Sequence, residues 1–287
     1  INEVAQTIGV RARVALRINP DIDPQTHPYI STGLKKSKFG IAADHALKEF
    51  ELANQLAHID VVGVHCHIGS QLTQVTPFVD AIKKVLSLIK TLQSQDVNIR
   101  YMNIGGGLGI TYSDETPPHP NELAAAIIPL LQTASCQIIM EPGRSIVGNA
   151  GILVTKVLYN KEGANKEFVI VDAAMNDLLR PSLYEAHHDI QPVLKNESAA
   201  VHTVDVVGPI CESGDFLAKD RKMPQPQSGD LLAVMSAGAY GFTMASNYNS
   251  RPKTPEVLVK DTQIMVIRER ESYEDLIRGE SIPEIFA

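Results

Sequence analysis

Three clusters of glycine and polar residues each follow a short apolar, β-branched run in the first half of the chain. The clusters are HCHIGSQ at 65–71, GGG at 105–107 and EPGR at 141–144. In a parallel (β/α) barrel the loops that follow the strands all open onto the same face. The pattern therefore predicts one active site, built by successive loops at the carboxyl ends of strands, and it points to a cofactor that carries phosphate.

The residues around these clusters alternate between strand and helix patterns. Strands are predicted at 13–18, 61–66, 99–104 and 137–140, and helices at 44–56, 77–93 and 121–132. In the second helix apolar residues recur at helical spacing from Phe78 to Leu92, and Pro77 suits its first turn. Such alternation predicts a parallel sheet.

After Arg144 the pattern changes to short β-prone runs separated by Gly, Pro, Asn and Asp residues. These runs lie at 152–158, 167–172, 201–208, 230–235, 255–260 and 262–269. Their spacing predicts an antiparallel sandwich or barrel, followed by a helix at 273–278. We therefore predict two domains, a partial (β/α) barrel at 1–146 and a C-terminal β domain at 147–287.

The number of strand–helix units constrains the first domain further. About four units are present, whereas a closed barrel needs eight, so at roughly 30 residues a unit about 120 residues are missing. The chain also begins at Ile1, shortly before its first strand pattern. We expect a fragment that holds the C-terminal half of a (β/α)8 TIM-like barrel, unless the sheet is not a barrel.

Charge, hydropathy and cysteine content exclude several protein classes. The net charge is −7 and the cluster Lys35-Lys36-Ser37-Lys38 is only local, which argues against a nucleic-acid partner. No apolar stretch approaches the roughly 20 residues that span a bilayer. Cys66, Cys136 and Cys211 are odd in number and far apart, which favours the reducing cytoplasm.

The glycines and histidines of the clusters each allow more than one interpretation. Gly105, Gly106 and Gly107 either cradle a phosphate with backbone N–H groups or simply form a tight turn. His65 and His67 lie two apart on a strand and share a face, whereas Cys66 points the other way. A metal needs three or four convergent ligands, so we predict none and favour a stacking ring or a core histidine.

Glu141 and Cys211, further along the chain, also have two interpretations each. Glu141 needs a partner, which is either Arg144 or a protonated ring nitrogen of the ligand. Cys211 is either a small buried hydrophobe or, beside Glu212, a candidate acid. Arg180 and Tyr184 together suit the binding of a carboxylate.

In this order the motifs resemble those of the fold-type III decarboxylases that depend on pyridoxal 5'-phosphate (PLP). The similarity runs from RINP at 17–20 through SKFGI at 37–41 to Tyr248. The strings DAAMNDLLRP at 172–181 and CESGD at 211–215 resemble the branch of this family that acts on diaminopimelate. The resemblance implies a cytoplasmic carboxy-lyase, a homodimer with shared active sites, that converts meso-2,6-diaminopimelate to L-lysine and CO2.

The resemblance also implies a role for each motif residue. His67 would stack on the PLP ring, and Glu141 would pair with the ring nitrogen. The remaining cofactor contacts would come from Ser70, Gly105, Gly106, Gly107, Gly143, Arg144 and Tyr240. The substrate would be bound by Arg144, Arg180, Tyr184, Glu212 and Tyr240. Cys211 would help to deliver a proton, and the Cys211–Glu212 segment would reach the partner subunit's site.

One family feature has no counterpart in this chain. The lysine that bonds to PLP lies upstream of every motif present here, so we expect this chain alone to be inactive. Two alternatives stay open: a relative that decarboxylates arginine or a carboxylated polyamine, and a non-catalytic homologue that binds and regulates a decarboxylase subunit. The Cys211-Glu212-Ser213 triplet argues against the first, and the retention of His67 and Glu141 argues against the second. A metal-dependent barrel hydrolase is the most distant alternative.

Overall fold

A computed structural model describes residues 1–22, 38–195 and 198–286 of the chain. The chain divides into two compact units, Ile1–Ile146 (unit 1) and Val147–Ala287 (unit 2). Of the predicted lysine cluster, residues 35–37 lie outside the described residues.

Unit 1 is built on a parallel sheet with the strand order β2-β1-β3-β4-β5. Its strands are β1 (Ala12–Asn19), β2 (Ile41–Ala42), β3 (Ile59–Cys66), β4 (Tyr101–Asn103) and β5 (Gln137–Ile139). Its helices are α1 (Asn2–Thr7), α2 (Ala46–Asn54), α3 (Thr76–Ser94), α4 (Pro120–Leu131) and α5 (Arg144–Val147), the last ending one residue into unit 2. The predicted alternation of strands and helices is confirmed, although β4 is shorter than predicted and β2 was missed.

The core of unit 1 lies on one face of the sheet. Val64 and Cys66 of β3 and Met102 of β4 meet apolar side chains from α2, α3 and α4 in a single cluster. On α3 the buried residues are Phe78, Ala81, Ile82, Val85, Leu86, Ile89 and Leu92. Each large side chain buried in this way contributes about 1.5–3 kcal/mol. Because helices from three successive units cover the same face, the sheet has the layering of a barrel wall.

The last strand of unit 1 is more exposed than its composition predicts. Ile139 and Met140 are 41% and 48% exposed, because β5 is an outer strand of the described sheet. The Glu141 side chain is 51% exposed, so its charge remains in contact with solvent.

Unit 2 is built on a six-stranded sheet with the order β10-β9-β7-β6-β11-β8. Its strands are β6 (Leu153–Glu162), β7 (Glu167–Val171), β8 (Ile190–Pro192), β9 (Val201–Val207), β10 (Phe216–Pro224) and β11 (Leu231–Val234). A hairpin of β12 (Glu256–Lys260) and β13 (Gln263–Arg268) follows, and the helices are α6 (Arg180–Tyr184) and α7 (Tyr273–Leu276). Short 3₁₀ helices occur in unit 1 at Ala43–His45, and in unit 2 at Gly148–Ala150, Phe242–Met244, Tyr248–Ser250 and Glu284–Phe286.

The large sheet of unit 2 is mixed rather than wholly antiparallel, which corrects the prediction. β7 and β9 pair in parallel, and the other neighbours in the sheet are antiparallel. A parallel pair needs a long connection, and the segment that contains α6 and β8 provides it. The outer strands β8 and β10 contact each other, so the sheet nearly closes around a core of Val157, Val171, Val206, Leu217 and Leu232.

Within the described ranges, the helices are too short or too polar to cross a bilayer.

Candidate functional site

A row of polar side chains crosses the sheet face of unit 1 opposite the helices. Register pairs Arg17 of β1 with His65 of β3, and His65 with Asn103 of β4. Among the described residues, the buried atoms Arg17 Nη2 and His65 Nε2 have no hydrogen-bond partner. A buried polar atom without a hydrogen bond costs free energy, so contact with a polar ligand group at these two atoms would be favourable.

Glu141 lies beside this row and is oriented by Asn103. Asn103 Nδ2 donates to Glu141 Oε1 over 2.7 Å, and His65 Nε2 lies 3.5 Å from the same oxygen. Asn103 is held in turn, because its Oδ1 accepts from Gly105 N over 2.9 Å. Asn103 was missed in the sequence, although a polar residue at the end of a strand and next to a glycine cluster is a usable signal.

The triglycine is the point where three loops of unit 1 meet. Gly105 has a φ of +69°, and a Cβ there would lie 2.6 Å from the Cys66 carbonyl oxygen. At Gly106 a Cβ would overlap the carbonyl oxygen of Glu141, and at Gly107 that of Gly69. Because a backbone carbonyl oxygen occupies the place of a side chain at each position, all three residues have to be glycine. The path of the backbone through the triglycine is thus fixed by packing.

We expect Gly106→Ala to destabilise unit 1 by about 2 kcal/mol, because the added methyl group forces two backbone segments apart. Gly9→Ala is a matched control in the same unit. Gly9 has a φ of +70° and nothing within 4 Å of its Cβ position. It should therefore lose only about 1 kcal/mol for the left-handed backbone. Urea unfolding measures both variants, and equal losses would mean that packing does not require Gly106.

His67 is held as a neutral ring at the edge of the triglycine. Gly106 N donates to His67 Nδ1 over 3.2 Å, which leaves the proton of the neutral ring on Nε2. Burial lowers the pKa of His67, and the nearby charge of Arg17 lowers it further. A neutral, half-buried imidazole suits stacking on a flat ligand.

Cys66 does not belong to this site. Its side chain points into the core of unit 1 and is 1% exposed. Burial raises the pKa of the thiol to about 12, so it stays protonated. Cys66 therefore cannot join His65 and His67 around a metal ion.

Arg144, at the start of α5, is buried and belongs to a second polar group. Its Nη1 lies 3.1 Å from Tyr112 Oη and 3.5 Å from Gln71 Oε1. Gln71 Nε2 donates to Glu115 Oε1 over 3.1 Å, which orients the amide. Tyr112 and Glu115 come from a loop whose function the sequence does not indicate. Ser70 lies half-buried after β3, and Gly143 directly precedes α5. The roles of these two residues in cofactor binding remain predictions.

In unit 2, Arg180 and Tyr184 lie at the two ends of α6. Arg180 is 7% exposed, and its Nη1 lies 2.7 Å from Nε2 of His188. His188 is fully buried and its Nδ1 lies 2.8 Å from the carbonyl oxygen of Met235. His188 was also missed, since nothing in the sequence connects it with Arg180.

The loop that carries Cys211 and Glu212 is hydrogen-bonded through Asp215 to the segment before α6. Asp215 accepts from Met175 N over 2.7 Å and from Ile210 N over 2.8 Å, and it is buried. Cys211 and Glu212 are exposed, so the interpretation of Cys211 as a buried hydrophobe is wrong.

Tyr248 and Tyr240 complete the candidate residues of unit 2. Tyr248 Oη donates to Glu212 Oε2 over 3.2 Å, and this bond raises the pKa of the phenol. Tyr240 is 42% exposed, with a φ of +58°, in the turn Gly238–Gly241. The structure thus groups His67, the triglycine and Glu141 within unit 1. Within unit 2 it connects the segments that carry Arg180 and Glu212.

Two family models match the chain. One is described as pyridoxal-dependent decarboxylase, pyridoxal binding domain, and matches residues 1–148. The other is described as pyridoxal-dependent decarboxylase, C-terminal sheet domain, and matches residues 84–238.

The chain is also similar to curated and solved proteins named diaminopimelate decarboxylase. It is 51% identical to that of Aquifex aeolicus over 278 residues, which are 96% of this chain and 66% of the relative. It is 53% identical to that of Pseudomonas aeruginosa over 282 residues, 98% of this chain and 68% of the relative. The structure from Helicobacter pylori complexed with L-lysine matches with a TM-score of 0.89 and 48% identity, covering 96% of this chain and 69% of that one. The chain thus spans about two thirds of the length of these proteins.

Proposed function

Because this chain belongs to the pyridoxal-dependent decarboxylases, we propose that it binds PLP in unit 1 and serves in the decarboxylation of meso-2,6-diaminopimelate to L-lysine and CO2. One observation carries the proposal. The Glu141 carboxylate is held by Asn103 beside the triglycine and the neutral ring of His67. A carboxylate for a ring nitrogen, a ring for stacking and a glycine turn for a phosphate are thereby collected in one place.

The residues of unit 1 fit PLP group by group. Glu141 would hold the proton on the pyridine nitrogen, and His67 would lie against the ring. The N–H group of Gly107 and the Ser70 hydroxyl would bind the phosphate, since the N–H groups of Gly105 and Gly106 already donate to Asn103 and His67. Arg17 Nη2 and His65 Nε2, which have no hydrogen bond among the described residues, would gain one. When bound, PLP supplies an electron sink for the electron pair left by the departing carboxylate.

The residues of unit 2 fit a substrate with charges at both ends. The Arg180 guanidinium and the Tyr184 hydroxyl would bind the carboxylate that is retained, and Glu212 would bind the distal ammonium group. Tyr248 orients Glu212 through its hydrogen bond. Polar contacts discriminate between substrates far better than apolar contacts do. Cys211, exposed next to Glu212, would deliver a proton to the reacting carbon.

We further propose that the working form is a cytoplasmic homodimer in which the Cys211–Glu212 segment reaches the partner subunit's site. The exposure of both residues supports this arrangement, and the three cysteines are free thiols, as a reducing compartment maintains. Mixing of two inactive variants, Cys211→Ala and Glu141→Gln, should restore activity if sites are shared, and should restore none if each subunit is self-sufficient.

The test of the proposed activity uses the protein from its native source, supplied with PLP. L-Lysine and CO2 should form from meso-diaminopimelate, with kcat/KM at least about tenfold above that for L-arginine or a carboxylated polyamine. Borohydride reduction followed by intact-mass measurement should show a PLP adduct. A preference for arginine would overturn the substrate assignment. PLP binding without turnover would favour the non-catalytic, regulatory alternative.

We expect Asn103→Leu to lower both PLP affinity and kcat/KM by about tenfold, because Glu141 loses the hydrogen bond that orients its carboxylate. Asn121→Leu, at an exposed position on the first turn of α4, is the matched control and should change neither quantity. Absorbance titration with PLP and steady-state kinetics give the two values. A variant with unchanged PLP affinity and turnover would show that Glu141 does not depend on Asn103.

A further inference from the structure

His188 is a fully buried histidine whose two ring nitrogens both have partners of fixed polarity. Nδ1 lies 2.8 Å from the Met235 carbonyl oxygen, and Nε2 lies 2.7 Å from Arg180 Nη1. A carbonyl oxygen only accepts and a guanidinium only donates. The ring must therefore carry its proton on Nδ1 and present a bare Nε2 to Arg180, which makes the imidazole neutral.

We propose that His188 is a positioning residue for Arg180, holding the guanidinium through an uncharged acceptor in the orientation that binds a substrate carboxylate. The inference rests on the proposed function, because it takes Arg180 as the group that binds the retained carboxylate. A carboxylate in the place of His188 would orient the guanidinium equally well but would add a negative charge beside it. A neutral imidazole orients it and adds no charge.

The support beneath His188 is rigid. Met235 directly follows β11, and its N–H donates to the Asp189 carbonyl oxygen over 2.8 Å. Asp189 directly precedes β8, the neighbour of β11 in the sheet. The carbonyl oxygen that fixes the His188 tautomer is thus itself fixed by strand pairing. The chain of contacts runs from the sheet through His188 to the first residue of α6.

The surroundings keep the ring neutral. Burial lowers the pKa of His188 to about 4, and the charge of Arg180 adds to this effect, although the bond to Met235 opposes it. Arg221 and His187 add further positive charge nearby. A proton on Nε2 would point at the guanidinium, so the neutral form and the contact with Arg180 support each other.

The first test reads the tautomer directly. In protein labelled with ¹⁵N-histidine, long-range ¹H–¹⁵N correlation at about pH 7 should show His188 with a protonated Nδ1 and an unprotonated Nε2. His188→Gln identifies the signal by its disappearance. A proton on Nε2, or a doubly protonated ring at that pH, would overturn the proposal without bearing on the decarboxylase assignment.

The second test measures binding by calorimetry in the PLP-loaded protein. His188→Leu and Arg180→Leu should each weaken meso-diaminopimelate binding by about tenfold or more. His188→Gln, whose side-chain oxygen can replace Nε2 as the acceptor, should stay within about threefold of the unmodified protein. Binding of 1,5-diaminopentane, which lacks both carboxylates, should not change in any variant.

The controls separate this inference from the function on which it rests. His202→Leu removes a half-exposed histidine of the same unit that pairs with Glu167, and it should leave binding unchanged. Thermal melting of each variant checks that it is folded. If Arg180→Leu weakens binding and a folded His188→Leu does not, His188 has no positioning role. If the unmodified protein does not bind meso-diaminopimelate, the proposed function is wrong, and the role of His188 that rests on it is wrong as well.

Discussion

Glu141→Gln should lower kcat/KM for meso-diaminopimelate by about a thousandfold, which corresponds to about 4 kcal/mol of transition-state stabilisation. Glutamine has the shape of glutamate and can keep the contact with Asn103, but it carries no charge. The proton on the PLP ring nitrogen would then lose its partner, and the ring would accept the electron pair of the departing carboxylate less readily. Steady-state kinetics at saturating PLP measure the loss.

The control for this experiment is Glu51→Gln, an exposed change on α2 of the same unit, which should leave kcat/KM unaltered. PLP affinity is measured in parallel, so that a binding defect is not mistaken for a defect in the chemical step. If Glu141→Gln loses less than about tenfold, the carboxylate does not act on the ring nitrogen. The proposed orientation of PLP in unit 1 would then be wrong.

Lowering the pH from about 7 to about 4 should remove about 3 kcal/mol of stability from unit 2 through His188 alone. The unfolded chain binds a proton at this residue near its ordinary pKa of 6.5, whereas burial lowers the pKa of the folded form to about 4. Between these two values the unfolded state holds a proton that the native state does not. The stability is therefore fully present above about pH 6.5 and is lost as the pH falls toward 4.

The measurement is urea-dependent hydrogen exchange of the β11 amides at a series of pH values, which reports on unit 2 alone. His188→Gln should flatten the profile in this window by about 3 kcal/mol relative to the unmodified protein. The difference between the two proteins is the relevant quantity, because carboxylates such as Asp215, whose pKa is raised by burial, titrate in both. Parallel profiles would show that His188 ionises as readily in the folded state as in the unfolded one.

Local periodicity accounts for what the sequence predicted well. The apolar residues of α3 repeat at helical spacing, and β3 is a long β-branched run, so both are visible without knowledge of their neighbours. The polar clusters after β3, β4 and β5 identified the strand ends, and the order of the motifs identified the family that the comparisons confirm.

Besides β10, a nine-residue strand absent from the predicted β-prone runs, the features that were missed are short or depend on contacts between distant residues. β2 and β8 are two and three residues long, too short for any pattern to register. The parallel pairing of β7 with β9 and the exposure of β5 depend on which strand lies alongside. Asn103 is a single polar residue between apolar ones, and His188 gains its importance only from Arg180 and Met235, which the fold places against it.

The pairing of β6 with β11 has a consequence for the order in which the protein folds as it is synthesised. Unit 1 is assembled mostly from strands and helices that are near neighbours along the chain, and such local contacts form quickly. In unit 2, Leu153 pairs with Val234, so β6 leaves the ribosome long before its partner β11 exists. Until β11 has been synthesised, β6 therefore lies in a half-formed sheet with one edge unpaired. Chaperone binding matters most during this interval.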